Sequence, residues 1–199
     1  MKPINLVKRS YTVNQFLERY ASEDTRILNI GSSSTRFLNY SVNLDIQKKP
    51  DVDIIGDAHT LPFKSSVFNI VILSAVLQYC KNPYKVASEA YRVLSPKGHV
   101  YLDAPFVQPY CYDTPDLFRF TKDGLILIFE NFSILECDVS IPGGSALAFF
   151  IQSLVGNSKN RYLNFALKTV FSLLALPIAL INYNKKSNVA GAFYLIGKK

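Results

Sequence analysis

Short runs of aliphatic and β-branched residues alternate with helix-like stretches through most of the chain. Seven runs predict strands: Arg26–Ile30, Val42–Ile46, Val52–Ile55, Phe68–Leu73, His99–Ala104, Phe132–Val139 and Gly191–Ile196. Apolar residues at helical spacing predict helices over Asn14–Tyr20, Pro83–Leu94 and Lys122–Phe129. Such alternation is typical of a doubly wound α/β fold, a mostly parallel sheet with crossover helices.

The segment 142–188, between the last two predicted strands, follows a different pattern. Its apolar residues predict helices over Ala146–Leu154 and Tyr162–Tyr183, and the second is long enough to span a bilayer. We expect Pro177 to break that helix near Leu176. In addition, a single membrane crossing would place the last strand on the opposite side of the membrane from the rest of the sheet. Two interpretations stay open: packed helices that form a lid or a homodimer face, and a peripheral membrane contact through residues 146–183.

Length and composition fit a single domain, 1–199, with a substantial core, because 49% of the 199 residues are apolar. The formal net charge of +7 fits nucleic acid, an anionic membrane or an anionic substrate. No basic run exceeds two residues, so we expect no nucleic-acid partner. The three cysteines are too scattered for a disulfide framework or a zinc site, and no signal-peptide pattern is seen, so we expect a cytoplasmic protein without a metal.

A glycine-containing turn follows the first predicted strand, where a doubly wound fold approaches its ligand. In the run from Asn29 to Thr35, Gly31 lets the backbone come close to a ligand, and the serines after it offer hydroxyls and amides. The turn lacks the three glycines of a dinucleotide fingerprint and the lysine of a P-loop. Taken alone, it also fits an ordinary strand-to-helix turn.

Two aspartates follow the next two strands and add to this picture. Asp45 ends the second strand, where a carboxylate can accept hydrogen bonds from a ribose diol. Asp57 follows the third strand, where it can accept from an adenine amino group while the Ala58 N–H donates to the ring. Each could be a turn carboxylate, but together with the turn at Gly31 they predict a nucleoside site at one edge of the sheet.

At this point the sequence resembles the class I S-adenosylmethionine-dependent methyltransferases, specifically the small methyltransferase-11 type associated with polysaccharide biosynthesis. The similar runs are ILNIGSSST, VNLDI, GDAHTLPF, FNIVILSAVLQYCKNP, EAYRVLSPKGHVYLDAPF, DLFRFTKDGL and GAFYLIGKK. The resemblance implies a Rossmann-like sheet of seven strands, mostly parallel with the last strand antiparallel, interrupted by the helical insertion 142–188. It also implies S-adenosylmethionine as the cofactor.

Carried over by position, the resemblance assigns the turn at Gly31 to the methionine part of the cofactor, Asp45 to the ribose and Asp57 with Ala58 to the adenine. Ser74 and Leu77 would border the sulfonium. The cofactor-binding residues that we expect are Asn29, Gly31, Ser32, Ser33, Asp45, Asp57, Ala58, Ser74 and Leu77.

Few residues could serve catalysis. Asp103, at the end of the fifth strand, is the best-placed general base, although it could also be a hydrogen-bonded strand-end carboxylate. Tyr79 and Arg119 could orient an acceptor, and Phe106 belongs to an aromatic group that could wall the acceptor pocket or simply form core. His59 is expected at the adenine rim.

The departures from the family pattern keep an alternative open. Asn29 replaces the leading acid of the first motif, and Gln78-Tyr79 stand where many relatives read Glu-His. We therefore expect either a methyltransferase for a small acceptor, such as a saccharide or a lipid-linked glycan, or a degenerate, non-catalytic binding or scaffolding protein. An NAD-dependent oxidoreductase ranks last, because the fingerprint glycines and a Tyr-x-x-x-Lys pair are missing.

Overall fold

Seven strands form a central sheet in the computed structural model, which describes residues 9–112, 114–154, 161–180 and 189–199. They are β1 (Ile27–Ile30), β2 (Val42–Asp45), β3 (Ile54–Ile55), β4 (Phe68–Ser74), β5 (Leu94–Pro105), β6 (Ser133–Pro142) and β7 (Ala190–Lys198). Their order is β3-β2-β1-β4-β5-β7-β6, with β7 antiparallel to both neighbours and the other adjacent pairs parallel. The predicted doubly wound α/β sheet with an antiparallel last strand is confirmed.

Five α-helices accompany the sheet in the described residues: α1 (Val13–Tyr20), α2 (Pro83–Val93), α3 (Lys122–Ile128), α4 (Gly143–Leu154) and α5 (Arg161–Leu180). The first three begin at side chains that cap free backbone N–H groups, namely Thr12, Asn82 and Thr121. A short 3-10 helix, Leu77–Tyr79, follows β4.

The two faces of the sheet bury separate apolar clusters. On one face, α2 and α3 pack against the strands, and Val86 and Phe129 are among the fully buried side chains. On the other face, α1 inserts Phe16 against the ring of Tyr101, with 5.3 Å between ring centroids. Because β4 contributes to both clusters, its side chains are almost all apolar, as the sequence pattern predicted.

The starts of two strands, β3 and β5, differ from the sequence prediction by two residues or more. β3 contains only two residues, because the Val52 N–H donates to Lys49 O in a turn instead of to a neighbouring strand. β5 begins directly after α2, at Leu94, and not at His99. Lys97 has a positive φ of 66° there, and the register with β4 shifts, so the segment Pro96–Gly98 forms an irregularity inside the strand.

The helical insertion consists of α4 and α5, which pack against each other between β6 and β7. α4 rests on the sheet through small residues: Ala146 is buried, and a Cβ on Gly191 would lie 2.9 Å from the Ala146 Cβ. The expected break at Pro177 does not occur, and α5 continues to Leu180. Pro177 lacks the N–H that would donate to the Leu173 carbonyl, but the loss of this hydrogen bond does not end the helix.

Within the described part of the chain, no helix is both long and apolar enough to cross a membrane. The final residues of the predicted second helix, 181–183, lie outside the described residues.

The contact between α1 and the sheet can be tested by truncating its buried ring. Phe16→Ala is expected to lower the free energy of unfolding by about 3–5 kcal/mol, since Phe16 has no exposed surface. Phe165→Ala, at a ring that is 45% exposed on α5, is the matched control and should change it by less than about 1 kcal/mol. Urea denaturation measures both, and equal losses would contradict the packing described here.

Candidate functional site

A cavity of about 470 Å³ opens at the carboxyl ends of the parallel strands. Its size falls within the usual range for small-molecule sites, about 300–1,000 Å³. The turns after β1, β2, β3 and β4 all contribute to its wall. Nine of the residues singled out in the sequence line it: Asn29, Gly31, Ser32, Ser33, Asp45, Asp57, Ala58, Ser74 and Tyr79.

The turn after β1 is held against β2 by backbone hydrogen bonds. The N–H groups of Gly31 and Ser32 both donate to Leu44 O, at 2.7 and 3.1 Å. Gly31 has a φ of +66°, and a Cβ there would lie 2.4 Å from Val76 Cγ2. Ser33 also has a positive φ, 51°, which turns its N–H toward Asp45. Glycine at position 31 is therefore required by both backbone conformation and space.

Ser32 lines the cavity and carries an unsatisfied, buried hydroxyl. The residue is only 3% exposed, and its Oγ has no hydrogen-bond partner among the described residues. A buried hydroxyl without a partner is destabilising, so a polar ligand group that pairs with it would gain free energy. The lack of a partner for Ser32 Oγ therefore favours a polar ligand at the turn.

Asp45 is positioned as an acceptor for hydroxyl groups. Its Oδ2 accepts from the Ser33 N–H at 2.8 Å, and its Oδ1 accepts from the Gln47 N–H at 2.9 Å. These two bonds hold the carboxylate at the cavity wall, and each oxygen keeps a further lone pair. The arrangement suits two neighbouring hydroxyls, as in a ribose diol. Lys49, which the sequence analysis did not single out, reaches the same wall and donates to Ser33 Oγ at 2.9 Å.

Asp57 and His59 form a pair at the next strand end. Asp57 Oδ1 accepts from the His59 N–H at 2.9 Å and lies 2.6 Å from His59 Nδ1. The backbone N–H of His59, and then its ring, lower the pKa of the Asp57 carboxyl. His59 Nε2 accepts from the Asn82 N–H at 3.2 Å, which places the ring proton on Nδ1. Both ring nitrogens are therefore used in the structure, and His59 orients Asp57.

Asp103 lies behind the cavity wall and reaches the cavity through Ser74. Its side chain is 2% exposed, and its Oδ2 accepts from Ser74 Oγ at 3.0 Å, Arg9 Nη1 at 3.1 Å and Tyr101 Oη at 3.2 Å. Ser74 lines the cavity, whereas Asp103 does not. The structure thus does not bring the expected general base to the surface of the site. Any proton that it takes from a ligand must pass through Ser74.

Tyr79 and Cys80 also line the cavity. Burial raises the pKa of the Tyr79 phenol, with a smaller contribution from the nearby Cys111 thiol. Burial also raises the pKa of the Cys80 thiol to about 11. Both groups are therefore protonated near neutral pH, so Tyr79 can donate a hydrogen bond and Cys80 is not a thiolate nucleophile.

Besides Asp103, three residues with predicted roles do not line the cavity. Leu77 is fully buried in the apolar core, because the 3-10 helix turns it inward. Phe106 packs on Phe193, with 5.5 Å between ring centroids. Arg119 is held by Asp116 through two hydrogen bonds of 2.5 and 2.6 Å, so its charge is already neutralised.

Asn29 supports the site through a partner that the sequence analysis missed. Its Nδ2 donates to Thr35 O at 3.0 Å and to Asn43 Oδ1 at 3.2 Å. Asn43 is fully buried on β2 and in turn donates to Thr35 O and Asp51 O. The sequence signal for Asn43 is an amide side chain in a strand that is otherwise apolar up to Asp45, because a buried amide needs hydrogen-bond partners. The asparagine pair holds the turn after β1 in place.

The fold and this site can be compared with known proteins. Residues 31–102 match the family model described as a methyltransferase domain. That match begins directly after β1 and ends within β5, so it includes the cavity-lining turns after β1, β2, β3 and β4, and the seven-stranded sheet has the fold of solved methyltransferases. The match and the fold support S-adenosylmethionine as the cofactor of this domain.

A 53-residue stretch is 42% identical to 2-methoxy-6-polyprenyl-1,4-benzoquinol methylase, mitochondrial, of Dictyostelium discoideum, over 26% of this chain and 17% of that protein. The chain spans less than half the length of the curated relatives that it matches.

Two solved structures show the same fold. A SAM-dependent methyltransferase from Methanosarcina mazei has a TM-score of 0.56 at 16% identity, over 92% of this chain and 96% of that one. The 4+2 cyclase SpnF has a TM-score of 0.59 at 15% identity, over 94% and 79%. At these identities the similarity concerns the fold alone.

The space at Gly31 can be tested by a substitution and its rescue. Gly31→Ala is expected to lower the free energy of unfolding by about 1–3 kcal/mol, because alanine is strained at positive φ and its Cβ meets Val76. Val76→Ala removes the contacting Cγ atoms. In the Val76→Ala background, Gly31→Ala should therefore lower the free energy of unfolding by less than it does in the wild type. Thermal denaturation of the three variants measures this coupling; strictly additive losses would contradict it.

The Asp116–Arg119 pair predicts a pH dependence of stability. The Arg119 guanidinium holds the pKa of the Asp116 carboxyl below its usual range, and the Cys111 N–H adds to this effect. The pair therefore stabilises the fold above the unfolded pKa of about 3.9, and this contribution is lost as the pH falls through the lower folded pKa. Asp116→Asn should cost about 2 kcal/mol at pH 7 and flatten the acid limb of denaturation. Asp24→Asn, at an exposed turn, is the control and should change neither the free energy of unfolding at pH 7 nor its dependence on acid pH.

Proposed function

We propose that the chain is an S-adenosylmethionine-dependent methyltransferase that acts on a small acceptor. The observation that carries the proposal is the convergence of two oriented carboxylates, Asp45 and Asp57, and the unsatisfied Ser32 hydroxyl on one cavity. Carboxylates suit the hydroxyl and amino groups of adenosine, and the Ser32 end suits the polar amino-acid part of the cofactor. When bound, S-adenosylmethionine supplies a methyl group on a positively charged sulfur.

In this arrangement, Asp45 holds the ribose hydroxyls. Asp57 accepts from the adenine amino group while the Ala58 N–H donates to the ring. Gly31, Ser32 and Ser33 contact the methionine end, with Asn29 fixing their turn through Thr35 and Asn43. Ser74 borders the place of methyl transfer.

For a hydroxyl acceptor, Ser74 and Asp103 form a proton route. Ser74 Oγ donates to Asp103 Oδ2 and lines the cavity, so it can accept a hydrogen bond from the acceptor. The cofactor would supply the methyl group, and the electron pair of its broken C–S bond would stay on sulfur as a thioether. The proton of the acceptor hydroxyl would pass to Ser74, and the Ser74 proton would pass to Asp103. Tyr79 donates a hydrogen bond that orients the acceptor. Alignment supplies most of the remaining rate enhancement.

The chemistry of the acceptor end favours an uncharged, hydroxylated molecule. Among the described residues that line the cavity, Ala75 and Val76 follow Ser74 in the chain, and Cys111 and Thr114 lie beside Tyr79. None of these six residues is acidic or basic. A phosphate or carboxylate would lack a cation here, because Arg119 is paired with Asp116. A saccharide or a lipid-linked glycan fits this description, as does the resemblance of residues 116–125 to the polysaccharide-biosynthesis subgroup. We infer a cytoplasmic site of action from the scattered cysteines of the sequence.

A non-catalytic binding or scaffolding role is the second candidate. Three donors hold Asp103, and both ring nitrogens of His59 are engaged, so no ionised base lies directly at the cavity surface near Ser74. The fold itself also occurs in a protein named as a cyclase. A chain of this kind would bind the cofactor without turnover.

Cofactor binding tests the proposal first. Calorimetry should show wild-type binding of both S-adenosylmethionine and S-adenosylhomocysteine. Asp45→Asn should weaken it about 10- to 100-fold, because hydrogen bonds to a charged acceptor are lost. Asp24→Asn is the matched control and should bind like the wild type. No heat from either ligand with folded wild-type protein would overturn the proposal.

Turnover separates the two candidates. With methyl-labelled cofactor and a fractionated pool of neutral glycans and glycolipids, the enzyme should transfer label. Ser74→Ala should lower kcat by about 100-fold or more while cofactor affinity changes by less than about threefold. Retained binding without transfer to any fraction would favour the non-catalytic role. Equal kcat in Ser74→Ala would exclude the proton route.

A further inference from the structure

The outward face of α5 is apolar at helical spacing. Its exposed fractions are 48% at Leu163, 51% at Val170, 56% at Leu173 and 66% at Leu174. Ala166 and Pro177 are exposed at intervening positions of the same face. We call these six residues the α5 stripe. An amphipathic helix normally turns such a stripe toward a core, whereas here it faces solvent.

The packing of α4 explains why the α5 stripe stays uncovered. α4 places its small residues, including Ala146 and Ala148, against the sheet. α5 packs on α4 rather than on the sheet itself. α4 also leaves Leu147 and Phe149 exposed by 49% and 37%. The helical pair is thus anchored on one side and presents large apolar side chains on the other, an arrangement that marks an interaction site.

The charge of the same segment limits what can cover it. Residues 142–188 contain five basic residues and no acidic one, whereas the rest of the chain has 17 basic and 15 acidic residues. Five of the seven formal net charges therefore belong to this segment. An apolar helical surface within a basic segment is the combination that binds anionic lipid headgroups and the acyl boundary beneath them.

We propose that α4 and α5 dock the protein on an anionic lipid surface, with the α5 stripe in the interface. The pair lies along the surface, because α4 packs on the sheet through Ala146 and α5 packs on α4. A second copy is a poorer occupant, since it would bring the same positive charge against this face. The proposal is independent of catalysis and of cofactor binding.

Flotation of the full-length protein with vesicles tests the proposal. The protein should float with phosphatidylcholine vesicles containing phosphatidylglycerol and not with phosphatidylcholine alone, and added salt should reduce the bound fraction. Leu173→Gln with Leu174→Gln should lower binding about tenfold or more, because two apolar side chains no longer enter the interface. The matched control is Leu127→Gln with Leu135→Gln, at leucines that are 55% and 45% exposed outside α4 and α5.

Three outcomes would overturn the proposal. The first is wild-type protein that stays unbound with anionic vesicles, and the second is equal binding to neutral and anionic vesicles. The third is undiminished binding by the folded Leu173/Leu174 variant, with circular dichroism confirming its fold. A wild-type dimer in light scattering that the Leu173/Leu174 variant dissolves, without any vesicle binding, would instead assign the surface to a second copy.

Discussion

The site depends on the hydrogen bonds that hold the turn after β1 against the end of β2. Gly31 and Ser32 donate to Leu44 O, and Ser33 donates to the Asp45 carboxylate. These bonds require the positive φ values at Gly31 and Ser33, and they leave no space for a side chain at Gly31 beside Val76. The same contacts orient Asp45 and direct the Ser32 hydroxyl to the cavity wall. A change in the turn therefore alters cofactor recognition and local stability together.

Internal pairing decides which polar groups remain for a ligand. Arg119 is committed to Asp116, His59 to Asp57 and Asn82, and Asp103 to three donors. The polar side chains of the described residues that line the cavity include hydroxyls, the Lys49 ammonium and one oriented carboxylate at each of two strand ends. This distribution favours recognition of an adenosine by hydrogen bonds and an acceptor end without charge. It also explains why catalysis would rely on alignment and on an indirect proton route.

The sequence predicted the sheet and the two key carboxylates because both follow from local patterns. Apolar runs define the strands, and the carboxyl ends of parallel strands meet at one edge, so Asp45 and Asp57 had to converge. Leu77 was misplaced because a 3-10 helix, with three residues per turn, directs it into the core while Tyr79 reaches the rim. The contact between Arg9 and Asp103 joins positions 94 apart in the chain, which no local pattern encodes. Similarly, Pro177 was expected to break a helix, but a proline inside a helix can also be accommodated by a kink, and the sequence alone does not distinguish the two.

A crystal structure of the protein with S-adenosylhomocysteine would show directly whether the cavity binds the cofactor. We expect the ribose hydroxyls on Asp45, the adenine amino group at Asp57 and the amino-acid end within hydrogen-bond reach of Ser32 Oγ. A ligand bound elsewhere, or a cavity left empty at a saturating concentration, would contradict it.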